Sequence, residues 1–430
     1  MEKFKPTYSN LTSLSFILFT IHFLSAGFYQ LPFIEFGLET ALIVKRSFFL
    51  FCLSLMVLLI NWRILLTKKT IYLIIIWTTI FGTNFLFHDN LDLIILRALQ
   101  SASVFILVSY LMQNFDGFLR FVTCRSLQVS LMLFSFLSLI IVIVSYTSSE
   151  VAVSVLSGFG GGSVNFSIWI SQVSVLILTL WYLDKLPTFR YLGSLNFHLF
   201  FYLAPVFALQ INTGGRLGVL VTLSSLFAAL FFKFKSEKKF EKIIFPIFTI
   251  ILFGGLASTI LSTLIYDNYS IFDHGIFRHM NSLELGKSEN FSNWAALYDF
   301  LDQLTSHRLY LFTEGLKALD WKIALVGKGF DNFTLVGRFG HVQHVHNVFL
   351  KTLGELGILG LIFLCSVIFF PILKLPKFEN SLAVKFGLSV WLIPAIFQPE
   401  FYFSQIGSSL VFWVVFAYSL TRIFPEKKLR

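Results

Sequence analysis

Two stretches of this 430-residue sequence combine ionisable side chains with a spacing that suits chemistry. One is His341-Val342-Gln343-His344-Val345-His346-Asn347, which runs directly into an apolar segment reaching Phe370, with glycines at 354, 357 and 360. An imidazole titrates near neutral pH and can take the proton of a hydroxyl group. At His346 such a ring would stand where a helix passes from water into lipid. The glycines, at every third position, would make a smooth strip for a closely packed neighbouring helix. The other stretch is Asn212-Thr213-Gly214-Gly215-Arg216-Leu217-Gly218. Thr213 or Asn212 can cap a helix there, and the paired glycines leave its first N–H groups accessible. With Arg216 in its first turn, that helix start is a ready anion site. Arg308 opens a third segment, Arg308 to Leu319, with a further cation.

Each of these residues also has a structural reading. His346 can be an interfacial ring that snorkels to water. Arg216 can anchor to lipid headgroups, and Arg308 can form a surface ion pair with Asp302 or Glu314. On a helix, His341 and His344 would share a face while His346 pointed away. No carboxylate stands at ligand spacing, so no metal is expected. Lys45, Arg46 and Arg97 lie near outer helix ends as anchors or as partners of Glu39 and Asp92.

The elements that must position these groups are membrane helices. The sequence is 56% hydrophobic and 13% charged, with a mean hydropathy of +0.78. Apolar runs of about 20 residues recur along it, the length that crosses a bilayer. Strands of an outer-membrane barrel would alternate apolar and polar residues instead. The pattern predicts an all-α polytopic membrane protein of about twelve crossings, near 13–33, 47–66, 71–87, 93–112, 127–146, 164–184, 195–212, 214–232, 243–264, 347–371, 382–398 and 405–424. Lysine and arginine gather in every second connection, so the net charge of +10 reports topology rather than a nucleic-acid partner. Both termini are then cytoplasmic, and the first run, after Lys3 and Lys5, reads as a retained helix. Cys52 and Cys365 fall in apolar runs and Cys124 in a cytoplasmic loop, which predicts no disulfide.

One external connection is large. Residues 265–346 hold six of the nine histidines, with a helical pattern over 293–320 and a turn at Lys328-Gly329-Phe330-Asp331-Asn332. A loop of that length reads as a functional cap. The chain divides into helices 1–6 (1–194), helices 7–9 with Arg216 (195–264), the cap (265–346) and helices 10–12 (347–430).

These residues resemble the polytopic O-antigen ligases and the related O-antigen polymerases. That family carries H-N, nine residues, then G-x-x-G, here His346-Asn347 and Gly357-Ile358-Leu359-Gly360. Leu361 stands where many ligases have a small residue or Tyr. Gly214-Gly215-Arg216 matches the family's arginine at the outer start of a helix. Arg308 to Leu319, followed by Gly327-Lys328-Gly329-Phe330, matches its arginine opening a cap helix before a G-x-G-F turn. The resemblance covers about residues 200–370. His344-Val345-His346-Asn347 leans toward the ligases.

The resemblance implies a GT-C-like glycosyltransferase with no cofactor or metal, inverting, working at the periplasmic face of the inner membrane. The donor would be a glycan on undecaprenyl pyrophosphate. The acceptor would be lipid A–core for a ligase, or another lipid-linked glycan for a polymerase. His346 would be the catalytic base, Arg216 and Arg308 would bind pyrophosphate, and Asn347, His344, Gly215, Arg278 and Arg338 would support them. A lipid-linked sugar transporter or flippase is the alternative from another class. It would place charges deep within helices and need no large cap.

Overall fold

The computed structural model describes residues 51, 53–60, 74–75, 77–82, 85, 91–122, 163–182, 199, 202–204, 206–207, 210, 216–234, 294–304, 307–337, 340–377, 381–397 and 406–424. Helices account for 83% of them. In chain order the elements are α1 (Leu91–Val122), α2 (Ser163–Tyr182), α3 (Arg216–Phe234), α4 (Trp294–Leu304), α5 (Arg308–Lys317) and α6 (Trp321–Val326). The strands β1 (Thr334–Val336) and β2 (Val342–His344) follow, then α7 (Val348–Lys374), α8 (Ser381–Ser389), α9 (Leu392–Phe397) and α10 (Ile406–Ile423).

Helices occupy the positions expected near 93–112, 164–184, 214–232, 347–371 and 405–424. The segment expected as one helix over 382–398 is instead two, α8 and α9. Segments near 13–33, 127–146 and 243–264 lie outside the described residues, and 47–66, 71–87 and 195–212 are described only in part. Among the described residues one helix, α7, is long and apolar enough to cross a membrane.

α2 is apolar all round and is accordingly central. Val175, Leu178 and Trp181 are fully buried, and the helix packs on α3 and α10. Its polar residues are satisfied within the bundle: the Val411 N–H donates to Gln172 Oε1 at 3.4 Å, and the Ser174 hydroxyl donates to the Ile170 carbonyl at 3.3 Å. Nearby, Gln210 Nε2 donates to Thr222 Oγ1 at 2.8 Å on α3. α1 runs along α10, with Phe115 and Tyr418 ring centroids 4.6 Å apart.

The cap helix expected over 293–320 is broken. α4 ends at Leu304 and α5 starts at Arg308, with His307 between them in the left-handed region at φ 62°. The fully buried Asp302 carboxylate organises the break. Its Oδ1 accepts the Tyr310 N–H at 2.7 Å, Oδ2 lies 2.8 Å from His307 Nδ1, and its carbonyl accepts the His307 N–H at 2.7 Å. A carboxylate reaching forward from α4 thus does for α5 what an N-cap side chain does for most helices.

α7 is interrupted at Gly357, whose φ of 68° and ψ of −168° no helix contains. The break frees the carbonyls of Gly354 and Glu355, which an unbroken helix would bond to the N–H groups four residues on. They accept instead from Lys328 N at 2.8 Å and Gly329 N at 3.0 Å, in the turn that follows α6. Two of the glycines expected to form a strip for a neighbouring helix, Gly354 and Gly357, therefore receive the cap, while Gly360 faces Leu356 of its own helix. A Cβ on Gly354 would lie 2.2 Å from the Phe333 ring, and one on Gly357 would lie 2.3 Å from the Leu325 carbonyl oxygen.

Candidate functional site

The residues from His341 to Val345 form a hairpin edge, not a helical turn. β1 and β2 pair antiparallel with Thr334 opposite His344 and Val336 opposite Val342. His344 ends β2 while His341 precedes the strand, so the shared face expected on a helix does not form. His341 is exposed in the connecting turn, where its carbonyl accepts the Gly337 N–H at 2.8 Å. His344 is exposed at the end of β2, beside fully buried Val345.

His346 is half-buried in the bend before α7, with its Nδ1 turned inside. Asn347 is the N-cap of α7: its Oδ1 accepts the Leu350 N–H at 2.9 Å, and its Nδ2 donates to the Ile396 carbonyl of α9 at 3.1 Å. The one side chain therefore caps one helix and ties it to another. α9 in turn packs on α3, the helix that Arg216 opens.

Arg308 starts α5, which lies against β1 and α7. The contact is close because Gly315 has no side chain. A Cβ there would meet Leu350, Val345 and Leu335 at 2.8, 3.3 and 3.5 Å. Phe333, Val345 and Leu350 form a small apolar core under the cap, with Ala318, Leu319, Ile323 and Leu335 around it. The structure thus joins the Arg308 helix, the His344 strand and the His346 bend in one unit. Arg216 is described in its backbone only, and Gly215, Arg278 and Arg338 lie outside the described residues.

Beside this unit is a charge cluster that the motifs did not indicate. Asp331, in the turn after α6, forms an ion pair with Arg97 of α1. Its second oxygen accepts from Lys351 Nζ at 3.2 Å, and Lys351 Nζ lies 3.5 Å from Glu355 Oε1 one helical turn on. Arg97 also donates to Gln100 Oε1 at 2.9 Å. The partner expected for Arg97 was Asp92; the observed one is 234 residues away. Burial would raise the Asp331 carboxyl pKa. The hydrogen bond and charge of Arg97, with the Lys351 ammonium, outweigh it and hold the group below the usual carboxylate range. His344 faces the same cluster. Desolvation on that side pushes its pKa down, Lys351 and Arg97 push it further, and Asp331 opposes them, so the ring is neutral at pH 7.

Asp331, His344 and Glu355 each place one possible ligand atom within 4.8 Å of the others. The carboxylates that the sequence lacked at ligand spacing are therefore supplied by the fold. The Lys351 ammonium already stands between the two of them. Arg97 and Lys351 balance both negative charges, so a divalent ion would have to expel Lys351 to bind.

One signal for this cluster was present in the sequence: Lys351 and Glu355 stand at i and i+4 inside an otherwise apolar run, and both are buried. Asp331 carried no such signal, because its partners come from three separate elements.

Protein-family models give no match to this chain, and curated proteins give none either.

Proposed function

We propose that this chain is a multi-pass glycosyltransferase of the bacterial inner membrane, with twelve crossings, both termini cytoplasmic and residues 265–346 capping its periplasmic face. Its donor is a glycan on undecaprenyl pyrophosphate and its acceptor a sugar hydroxyl of lipid A–core, the O-antigen ligase reaction. The observation that carries this reading is the joining of His346, the N-cap Asn347 and the folded-back cap on the start of one apolar helix. The order of the three sequence motifs supports it.

In this reading the acceptor oxygen attacks the anomeric carbon from the face opposite pyrophosphate. The C–O bond to pyrophosphate breaks, and the leaving group departs with the bonding electron pair. His346 takes the hydroxyl proton. Pyrophosphate is a stable anion and needs no proton to leave. Arg216, Arg308 and the N–H groups at the helix starts stabilise its charge as it develops.

Polymerisation, in which the acceptor is a second lipid-linked glycan, uses the same groups and is the second reading. Buried Lys351 and Glu355 are the features that a transporter would share. Their depth argues against one. The helix beyond Gly357 is about 17 residues, or ~25 Å, against a hydrocarbon core of about 30 Å. The outer lipid boundary then falls near Glu355, so these charges lie at the membrane edge rather than its middle. His346, about 11 residues before Gly357, stands at or just above the headgroup layer, where a lipid-linked pyrophosphate resides.

The test is surface-polysaccharide gel analysis of a deletion strain complemented with wild type or with His346→Ala. A ligase leaves unladdered lipid A–core and polymerised glycan still on undecaprenyl pyrophosphate when its activity is lost; a polymerase leaves core carrying a single repeat. His346→Ala is expected to lower transfer by about 10²-fold or more. A normal ladder from that variant at wild-type protein level would remove His346 as the base.

A further inference from the structure

α6 is a short helix, N-capped by Asp320, whose Oδ1 accepts the Ile323 N–H at 2.7 Å. It presents outward an unusual set of side chains for a water-facing cap. Trp321 is 72% exposed and Leu325 is 59% exposed. The Lys322 ammonium lies 5.7 Å from the centre of the Trp321 ring. Nothing about α6 itself requires this exposure, because its other side is anchored firmly: the Leu325 carbonyl and Val326 backbone lie against Gly357, and Gly327 lies against the Glu355 carbonyl.

Two observations say what this surface meets. First, the residues of α7 that follow the contact with α6, namely Ile358, Leu359 and Ile362, are exposed and apolar, so the surface of α6 joins a face suited to lipid. Second, the ~25 Å of helix beyond Gly357 puts the outer edge of a hydrocarbon core of about 30 Å within ~5 Å of Gly357. α6 is fixed at that level. A tryptophan with an adjacent lysine is the pair that the boundary between acyl chains and headgroups favours: the ring takes the apolar side and the ammonium reaches the headgroup phosphates.

We propose that α6 is an interfacial anchor lying in the outer leaflet, with Trp321 and Leu325 against the acyl-chain boundary and Lys322 directed to anionic headgroups. The cap is then held by the bilayer surface as well as by α7. This inference rests on the membrane reading of α7 given above, not on the reaction.

The test is site-directed spin labelling of the full chain with Cys52, Cys124 and Cys365 replaced by Ser, in nanodiscs containing phosphatidylethanolamine and phosphatidylglycerol. Labels are placed at Leu325→Cys, at Ile362→Cys as the lipid reference and at Lys317→Cys as the water reference. The expected result is a several-fold higher ratio of oxygen to nickel-chelate accessibility at 325 than at 317. The 325 label should be shallow, about 5–10 Å below the surface, and the 362 label deeper.

A 325 label open to the nickel chelate, with 362 lipid-exposed, overturns the anchor and leaves the membrane reading standing. A 325 label shielded from both reagents shows a protein contact and also overturns the anchor. A 362 label open to water removes both. Should labelling at 325 disturb folding, the fraction of tryptophan fluorescence quenched by lipids brominated near the carbonyl is compared between wild type and Trp321→Phe. It falls in the variant if Trp321 lies in the interface and is unchanged if Trp321 does not.

Discussion

Asp331 is held at φ 56°, a conformation that costs an aspartate more than it costs a glycine. Its carboxylate, set between Arg97 and Lys351, is what offsets that cost. Removing it would leave two cations in a largely desolvated place. Asp331→Ala is therefore expected to destabilise the folded protein by about 2 kcal/mol, below the roughly 3–5 kcal/mol typical of a fully buried pair because the site is partly open. Thermal or denaturant unfolding in detergent measures it. Arg97→Ala combined with Asp331→Ala should cost less than the sum of the single variants, by about 1 kcal/mol. Additive losses would show that the pair contributes nothing.

Asp331 and His344 also separate by pH. The Asp331 carboxyl is lowered on folding, so its stabilisation is complete above the unfolded value near 3.9 and is lost only as pH falls through the still lower folded value. The His344 pKa is lowered too, so the folded state resists its protonation. The stability linked to His344 is present above about pH 6.5 and declines as pH falls through the folded pKa. Of these two groups, His344 is the one through which acidifying from pH 7 to 5 should weaken folding. His344→Gln should flatten that dependence, and Asp331→Asn should not.

At the scale of elements, the break in α7 is what lets a polar cap bond to an apolar helix. Gly357→Ala puts a Cβ 2.3 Å from the Leu325 carbonyl oxygen and forces an alanine into a φ of 68° with an extended ψ. Such a conformation costs about 1–3 kcal/mol before the clash is counted. The variant is expected to straighten α7, withdraw the Gly354 and Glu355 carbonyls from the cap turn, and raise proteolysis between α6 and β1. Gly82→Ala is the control, since a Cβ there meets nothing within 4 Å. Equal protection of the two variants from protease would sink the docking role of Gly357.

The glycine spacing was legible in the sequence, but its use was not. A row of glycines predicts close approach without saying what approaches, and here the partners are the end of α6 and Phe333 of the cap rather than another long helix. The long helices were legible because each is a single apolar run. The hairpin was not, because Val342-Gln343-His344 is too short to distinguish a strand from a helical turn. The break between α4 and α5 was hidden for a related reason: an apolar spacing of three to four residues continues across it, and only the buried Asp302 marks where the chain turns.

For the whole molecule, the consequence that most divides the readings is the side of the membrane on which the cap stands. Lipid-linked glycan transfer at the periplasmic face requires α4–α6 and the hairpin to be outside and the connection around Cys124 to be inside. The chain carries three cysteines, and none is in a predicted external loop. An impermeant maleimide should therefore leave wild type unlabelled in intact spheroplasts. Lys317→Cys introduces a thiol on α5 at a side chain 73% exposed. That variant should be labelled in spheroplasts, and in inverted vesicles wild type should be labelled at Cys124. Cys365, within α7, should stay protected in both until detergent is added. With Cys124 replaced by Ser, labelling of Lys317→Cys only in inverted vesicles would put His346, Arg308 and the cap in the cytoplasm. No periplasmic acceptor could then reach the site, and the ligase and polymerase readings would fall together.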